Sequence, residues 1–209
     1  MKIIEKIKEP IAKEFEIFEA EFKNSVNSGI LILNVILKFM INRKGKQVRP
    51  ILVLLFAKMY SSENLTEKSY RSAIISELIH SATLIHDDVV DEAEKRRGFP
   101  PINRIWKNKI AVLMGDFMLS KALINMVGLR DFSALQLIAD TAEKLSAGEI
   151  LQIEKSLTKS MTKKVYYEMI YQKTASLVST SCELGAITST GQERDRKAMM
   201  TYGTKLGMA

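Results

Sequence analysis

Three observations predict an all-α fold. Apolar residues recur at three- and four-residue steps along almost the whole chain, no stretch sustains a two-residue alternation, and the 10 glycines and 4 prolines leave long uninterrupted runs. The 209 residues fit one large domain, 1–209, long enough to bury a continuous core. No internal repeat, low-complexity tract or linker divides it. With 46% apolar and 26% charged residues, wholesale disorder is excluded.

The elements follow in order. Ile4, Ile7, Ile11, Phe15, Phe18 and Phe22 form one stripe of a first helix, which Pro10 kinks or divides. A second helix runs from Gly29 to Ile41; it is too short to span a bilayer and carries Asn34 and Lys38. Residues 43–49 form a basic connection, and Pro50 suits the first turn of a helix over Ile51–Tyr60. Residues 61–65 form a turn, and Thr66 is placed to cap a long helix that reaches Asp91. Gly98-Phe99-Pro100-Pro101 ends that segment. Further helices are expected at Ile110–Leu129, Phe132–Leu157, Lys163–Ser189 and Glu193–Ala209.

A formal charge of +7 attracts anions at long range, and by itself leaves nucleic acid, anionic lipid and small phosphorylated metabolites open. The basic residues lack interleaved aromatics, which argues against a nucleic-acid partner. The single Cys182 cannot form an internal disulfide, and the N-terminus lacks the pattern of a secretory signal, so a cytoplasmic setting is expected.

The most informative stretch is His80 to Asp91, where a buried-helix pattern ends in Asp87, Asp88 and Asp91. Asp87 and Asp91 are four apart and share one helix face, so they repel unless a cation sits between them. Oxygen-only ligands suit Mg²⁺, which commonly shares its shell with substrate phosphates. Lys46 and Arg49 upstream and Arg96 and Arg97 downstream supply phosphate donors. His80 lies almost two turns before Asp87 on the same face and could donate to a diphosphate. Taken singly, each has a plainer reading: a solvated helix end, an exposed basic loop, a satisfied core histidine. Lys173 reads as a mid-helix lysine, and Glu149 and Gln152 as i,i+3 neighbours on a polar stripe.

Together and in order, these motifs resemble the trans-type polyprenyl (isoprenyl) diphosphate synthases, in particular the long-chain, octaprenyl-like branch. The motifs are Gly45-Lys46-Gln47-Val48-Arg49-Pro50, Glu77-x-x-His80 followed by His86-Asp87-Asp88-Val89-Val90-Asp91, Arg96-Arg97-Gly98, Gly115-Asp116, Gly148-Glu149-x-x-Gln152 and Lys173-Thr174-Ala175. The resemblance covers residue 29 to the end. It implies a helical bundle of the isoprenoid-synthase type around a central cavity, usually a homodimer, with at most peripheral membrane association.

The resemblance further implies that Asp87 and Asp91 bind Mg²⁺ with Asp88 in support. Arg96 and Lys173 would hold an allylic prenyl diphosphate, and Lys46, Arg49, His80 and Arg97 would hold isopentenyl diphosphate. Thr174 and Gln152 would line the reaction centre. Ala82 and Thr83, both small, occupy the positions that set chain length, which implies a long polyprenyl product. The family carries a second aspartate-rich motif after a stretch resembling Tyr202–Ala209, so the chain is expected to be a fragment of a longer protein. The rival readings are a non-catalytic or regulatory prenyltransferase subunit and an all-α metal-dependent phosphohydrolase.

Overall fold

A computed structural model describes residues 2–43, 45–61, 64–96, 98–190 and 192–209. Among them the secondary structure is helical, apart from an isolated bridge between Arg96 and Phe99. Helix α1 (Lys2–Lys8) and helix α2 (Ala12–Val26) are separated by a 3₁₀ turn over Glu9–Ile11, where Pro10 lacks the N–H that a continuous helix needs. The expected stripe is buried only in part. Ile11, Phe15 and Phe18 enter the core, whereas Ile7 is exposed. Helix α3 (Leu31–Asn42) buries Ile36 and Leu37 and leaves Leu31 and Val35 exposed.

Helix α4 spans Val48–Tyr60, three residues earlier than Pro50 alone suggests. Gln47 makes this possible by taking a left-handed conformation (φ 51°, ψ 44°), which turns the basic loop abruptly into the helix. Helix α5 (Glu67–Val90) is the centre of the molecule, and every residue from 72 to 79 is buried. Thr66 does occupy its N-cap, but the hydroxyl makes no cap bond and meets the Ser69 hydroxyl at 3.3 Å.

Helix α6 (Ile102–Leu129) begins eight residues before the expected Ile110. Two helical stretches meet at Lys107, whose backbone (φ 70°, ψ 159°) is not helical. That conformation is nearly restricted to glycine, so no local pattern announces it. By length and composition α6 could cross a membrane, yet this kinked helix packs along α5. Helix α7 (Phe132–Thr158) is capped by Asp131, which accepts from the Ala134 N–H at 3.1 Å.

The single helix expected over 163–189 is three elements. Helix α8 (Lys163–Ile170) passes through a π turn, Tyr171–Ala175, into helix α9 (Ser176–Ile187). Helix α9 is buried on all sides from Ser176 to Ala186. Its small residues allow this: a Cβ at Gly185 would lie 2.6 Å from the Val53 carbonyl oxygen. Helix α10 (Glu193–Met208) packs on α9 in the same way, its Gly203 and Gly207 facing Ser179 and Ala175. Helices α4, α5 and α9 thus form the inner layer, with α6, α7 and α10 against it.

Candidate functional site

The carboxyl end of α5 carries Asp87 and Asp88, with Asp91 at its C-cap. Unpaired carbonyls give that end a partial negative charge, so three aspartates there are mutually unfavourable without cations. Asp87 is half-buried, and its carboxyl is pushed up to about 6 by burial and by the nearby charges of Glu149 and Asp91. Lys173 and Arg96 oppose the shift. Asp91 is exposed, and its N–H donates to the Asp87 carbonyl at 2.8 Å.

Asp88 points elsewhere and is only 6% exposed. Its Oδ1 accepts from Arg96 Nε at 2.7 Å, an ion pair that offsets part of the rise that burial imposes on its carboxyl. Its carbonyl accepts from Asn103 Nδ2 at 2.9 Å. Arg104 holds the next carbonyls, donating to Glu92 at 2.9 Å and Ala93 at 3.1 Å. The beginning of α6 therefore ties down carbonyls at and just beyond the end of α5 and fixes the acidic segment. His86 lies against α6, with Nε2 3.3 Å from the Val112 carbonyl oxygen and 3.4 Å from Asp116 Oδ1. The ring fits because residue 115 is glycine: a Cβ there would lie 2.2 Å from His86 Nε2.

The facing wall is made by α7 and the π turn. Lys173 Nζ donates to Glu149 Oε2 at 2.5 Å and to Gln152 Oε1 at 2.8 Å. The wide turn brings the lysine to α7, and Gly148 lets the two backbones close. A Cβ at 148 would lie 2.9 Å from Lys173 Cγ and 2.8 Å from Gln172 Cβ. Glu149 Oε1 is buried without a hydrogen-bond partner. Thr174 is exposed.

The third component is the loop before α4. Lys46 is exposed there, and the Arg49 guanidinium is buried enough to lower its affinity for the proton, a shift opposed by the charge of Glu77 on α5. Arg49 Nε has no hydrogen-bond partner. Arg43 stacks between Phe39 and Phe99, at 3.7 and 4.3 Å, and ties this region to the turn after the acidic segment. His80 is half-buried one turn beyond Glu77, and its carbonyl accepts from the Thr83 hydroxyl at 3.0 Å.

Asp87, Asp91, Arg96 and Lys173 therefore fall into one charge cluster, with Gln152 bonded to Lys173. Arg97 lies outside the described residues. Ala82 is fully buried in the core, whereas Thr83 is half-buried. Among the described residues no three His, Cys, Asp or Glu side chains form a ready metal cage. In the sequence Glu149 stands only in a motif and a polar stripe; its i,i+3 spacing to Gln152 is the signal that both reach one partner.

A family model described as Polyprenyl synthetase matches residues 31–209. Heptaprenyl diphosphate synthase component 2 of Bacillus subtilis (strain 168) is 35% identical over 196 residues, covering 94% of this chain and 56% of its own length. The all-trans-nonaprenyl-diphosphate synthase (geranyl-diphosphate specific) of Rhodobacter capsulatus is 34% identical, covering 96% and 61%. Among solved structures, a polyprenyl synthase from Caulobacter crescentus CB15 complexed with calcium and isoprenyl diphosphate matches with a TM-score of 0.92 at 29% identity. That match covers 98% of this chain and 62% of the other. The chain spans less than two thirds of each of these proteins.

Proposed function

The chain belongs to the polyprenyl synthetase family, and from that premise we propose that it carries the first half of a prenyl-transfer site. There isopentenyl diphosphate is joined to an allylic prenyl diphosphate to make a long-chain polyprenyl diphosphate. The observation that carries this reading is Lys173, held by Glu149 and Gln152 within the electrostatic reach of Asp87. A cation and a carboxylate so coupled would let one diphosphate meet the lysine and a metal held by Asp87.

The residues fit Mg²⁺. Asp87 and Asp91 offer hard oxygens where Lys173 and Arg96 only partly balance the negative charge, and Glu149 Oε1 on the facing wall is a bare acceptor. Mg²⁺ commonly takes one or two carboxylates and completes its shell with phosphates and waters. When bound, Mg²⁺ would neutralise the charge that gathers on the leaving diphosphate as the carbon–oxygen bond breaks. Lys173 would donate to the same diphosphate, stabilising the departing charge more than the intact ester. Arg96 would keep Asp88 folded inward and add its remaining donors. Lys46, Arg49, Arg97 and His80 would hold the diphosphate of isopentenyl diphosphate, with Thr174 near the reacting carbons. The allylic carbon is attacked by the isopentenyl double bond, and the proton then lost is accepted by the released diphosphate, so no protein nucleophile is needed.

The small side chains of Ala82 and Thr83 would let the product grow long. A homodimer in the cytoplasm, with peripheral membrane contact through the product, belongs to the same proposal. The Bacillus subtilis relative is named as a component of its synthase, which favours one second reading, a subunit that binds diphosphates and needs a partner for turnover. Incubation of the protein with labelled isopentenyl diphosphate, an allylic primer and Mg²⁺ decides between them. Extractable polyprenyl product from this chain alone supports the synthase. Diphosphate binding without product supports the subunit, and phosphate release without a new carbon–carbon bond would favour a phosphohydrolase.

A further inference from the structure

The seam between α7 and the π turn holds a cation that is already neutralised. Of the three protons on the Lys173 ammonium, one goes to Glu149 Oε2 at 2.5 Å and one to Gln152 Oε1 at 2.8 Å. The contact is built in, because Gly148 leaves no Cβ to hold the two segments apart. Glu149 is mostly buried, with a side-chain exposure of 14%, and its Oε1 has no partner. Across the site stand Asp87 and Asp91, while the charge of Arg96 is balanced by Asp88, leaving only its remaining N–H donors free to turn to a ligand. An anion approaching this cluster meets three carboxylates against one ammonium. The arrangement repels the diphosphate it is meant to take until a divalent cation has changed the balance.

We propose that Glu149 makes diphosphate binding conditional on the divalent cation, by holding the charge of Lys173 in check until that cation joins Asp87 and Asp91. Glu149 is in this account a positioning residue that acts through Lys173. The inference rests on the proposed assignment of Lys173 to a diphosphate site. Its physical content is a difference between two ligand states. Without the cation, the carboxylate cancels the lysine and repels phosphate oxygens. With it, the negative field of Asp87 and Asp91 is cancelled and the third proton of Lys173 becomes productive. The device would keep a reactive diphosphate out of a site that lacks the metal needed to process it.

The test is calorimetric titration of the protein with inorganic diphosphate, once in chelator and once in excess Mg²⁺, for the unaltered chain and for Glu149→Gln. Diphosphate taken by Lys46 and Arg49 needs no metal, so binding at the present site is read as the part that Lys173→Gln removes, and there the unaltered protein is expected to bind only weakly without Mg²⁺. Glu149→Gln keeps the size of the side chain and is expected to bind in chelator about tenfold or more tightly than the unaltered chain, as removal of one charge near a phosphate requires in a half-solvated cleft. The gain from Mg²⁺ should shrink by the same factor. A merely structural role for Glu149 predicts loss of binding, never a gain. Adding Lys173→Gln to Glu149→Gln should abolish the chelator-resistant binding, and Glu149→Ser should reproduce its direction if the glutamine packs poorly. No gain in chelator from either variant, beside normal Mg²⁺-dependent binding by the unaltered protein, overturns the proposal alone. Failure of the unaltered protein to bind diphosphate even with Mg²⁺ overturns the reading of the site and this proposal with it.

Discussion

One wall of the candidate site is acidic and the other is a neutralised ion pair, and the two are stabilised in opposite ways. On the α5 side, Asp87 and Asp91 face the unfavourable end of a helix, and Asp87 holds its proton up to about pH 6. On the α7 side, Lys173 is bonded by two side chains and the backbones are closed by Gly148. The first wall is left short of a partner, while the second is preformed. A site of this kind spends stability where the ligand will repay it and is rigid where the ligand needs aim.

On the proposed function, breaking either wall should have its largest effect on turnover. Lys173→Gln and Asp87→Asn should each lower kcat/KM by about a hundredfold or more, as loss of one transition-state partner does, with the circular dichroism spectrum unchanged. A turnover within threefold of the unaltered protein would remove that residue from the chemistry.

Next in size are the glycines that seat the walls. Gly148→Val forces its side chain against Lys173 Cγ and N, at 2.9 and 3.2 Å from the first added carbon. Gly115→Val does the same to His86. Each should cost about 1–3 kcal/mol by overpacking, visible in denaturant titration. Gly148→Val should also weaken diphosphate binding, whereas Gly98→Ala, where a Cβ meets nothing within 4 Å, should cost only its positive φ.

The charge imbalance gives a smaller effect of opposite sign. The Asp87 carboxyl ionises near its ordinary 3.8 in the unfolded chain and near 6 in the fold. Folding therefore binds a proton between those values, and the ionised group costs stability above about pH 6. In metal-free protein Asp87→Asn should be more stable at pH 7.5 by about 1 kcal/mol after allowance for solvent screening. The advantage should vanish as the pH falls toward 4. Paired melting curves at the two pH values check both the sign and the window. An asparagine variant no more stable at pH 7.5 would show that Asp87 is not strained by its neighbours.

Smallest in stability, yet sharp in product, is the contrast between Ala82 and Thr83. Ala82 is enclosed by the core and Thr83 is half-buried. Thr83→Phe should shorten the product with little loss of stability, while Ala82→Phe should destabilise by overpacking. An unchanged product ladder from Thr83→Phe would remove this position from control of length.

Much of the α5 wall was legible in the sequence, because its information is local. The apolar period carries the helix to Val90, and the i,i+4 spacing puts Asp87 and Asp91 on one face. Helix α7 ends one residue beyond the expected boundary for the same reason. On the other wall the motifs single out Lys173, Thr174 and Gln152 but not how they are brought together. A π turn at Tyr171–Ala175 rests on packing against Gly148, more than twenty residues away, and the period of the surrounding sequence is ordinary. Asp88 is expected to support the metal pair, and the fold turns it inward to Arg96. Adjacent helical residues point about 100° apart, so that outcome depends on what lies beside the helix. The early start of α6 was hidden in the backbone of Lys107.

The most direct test of the central claim, that the two walls form one site, is a double-mutant cycle on kcat/KM with Asp87→Asn, Lys173→Gln and the pair. Side chains acting on one diphosphate must be coupled, so the pair should lose far less than the product of the single losses. Losses that multiply would mean that the acidic end of α5 and the π turn act independently, and the shared site would be wrong.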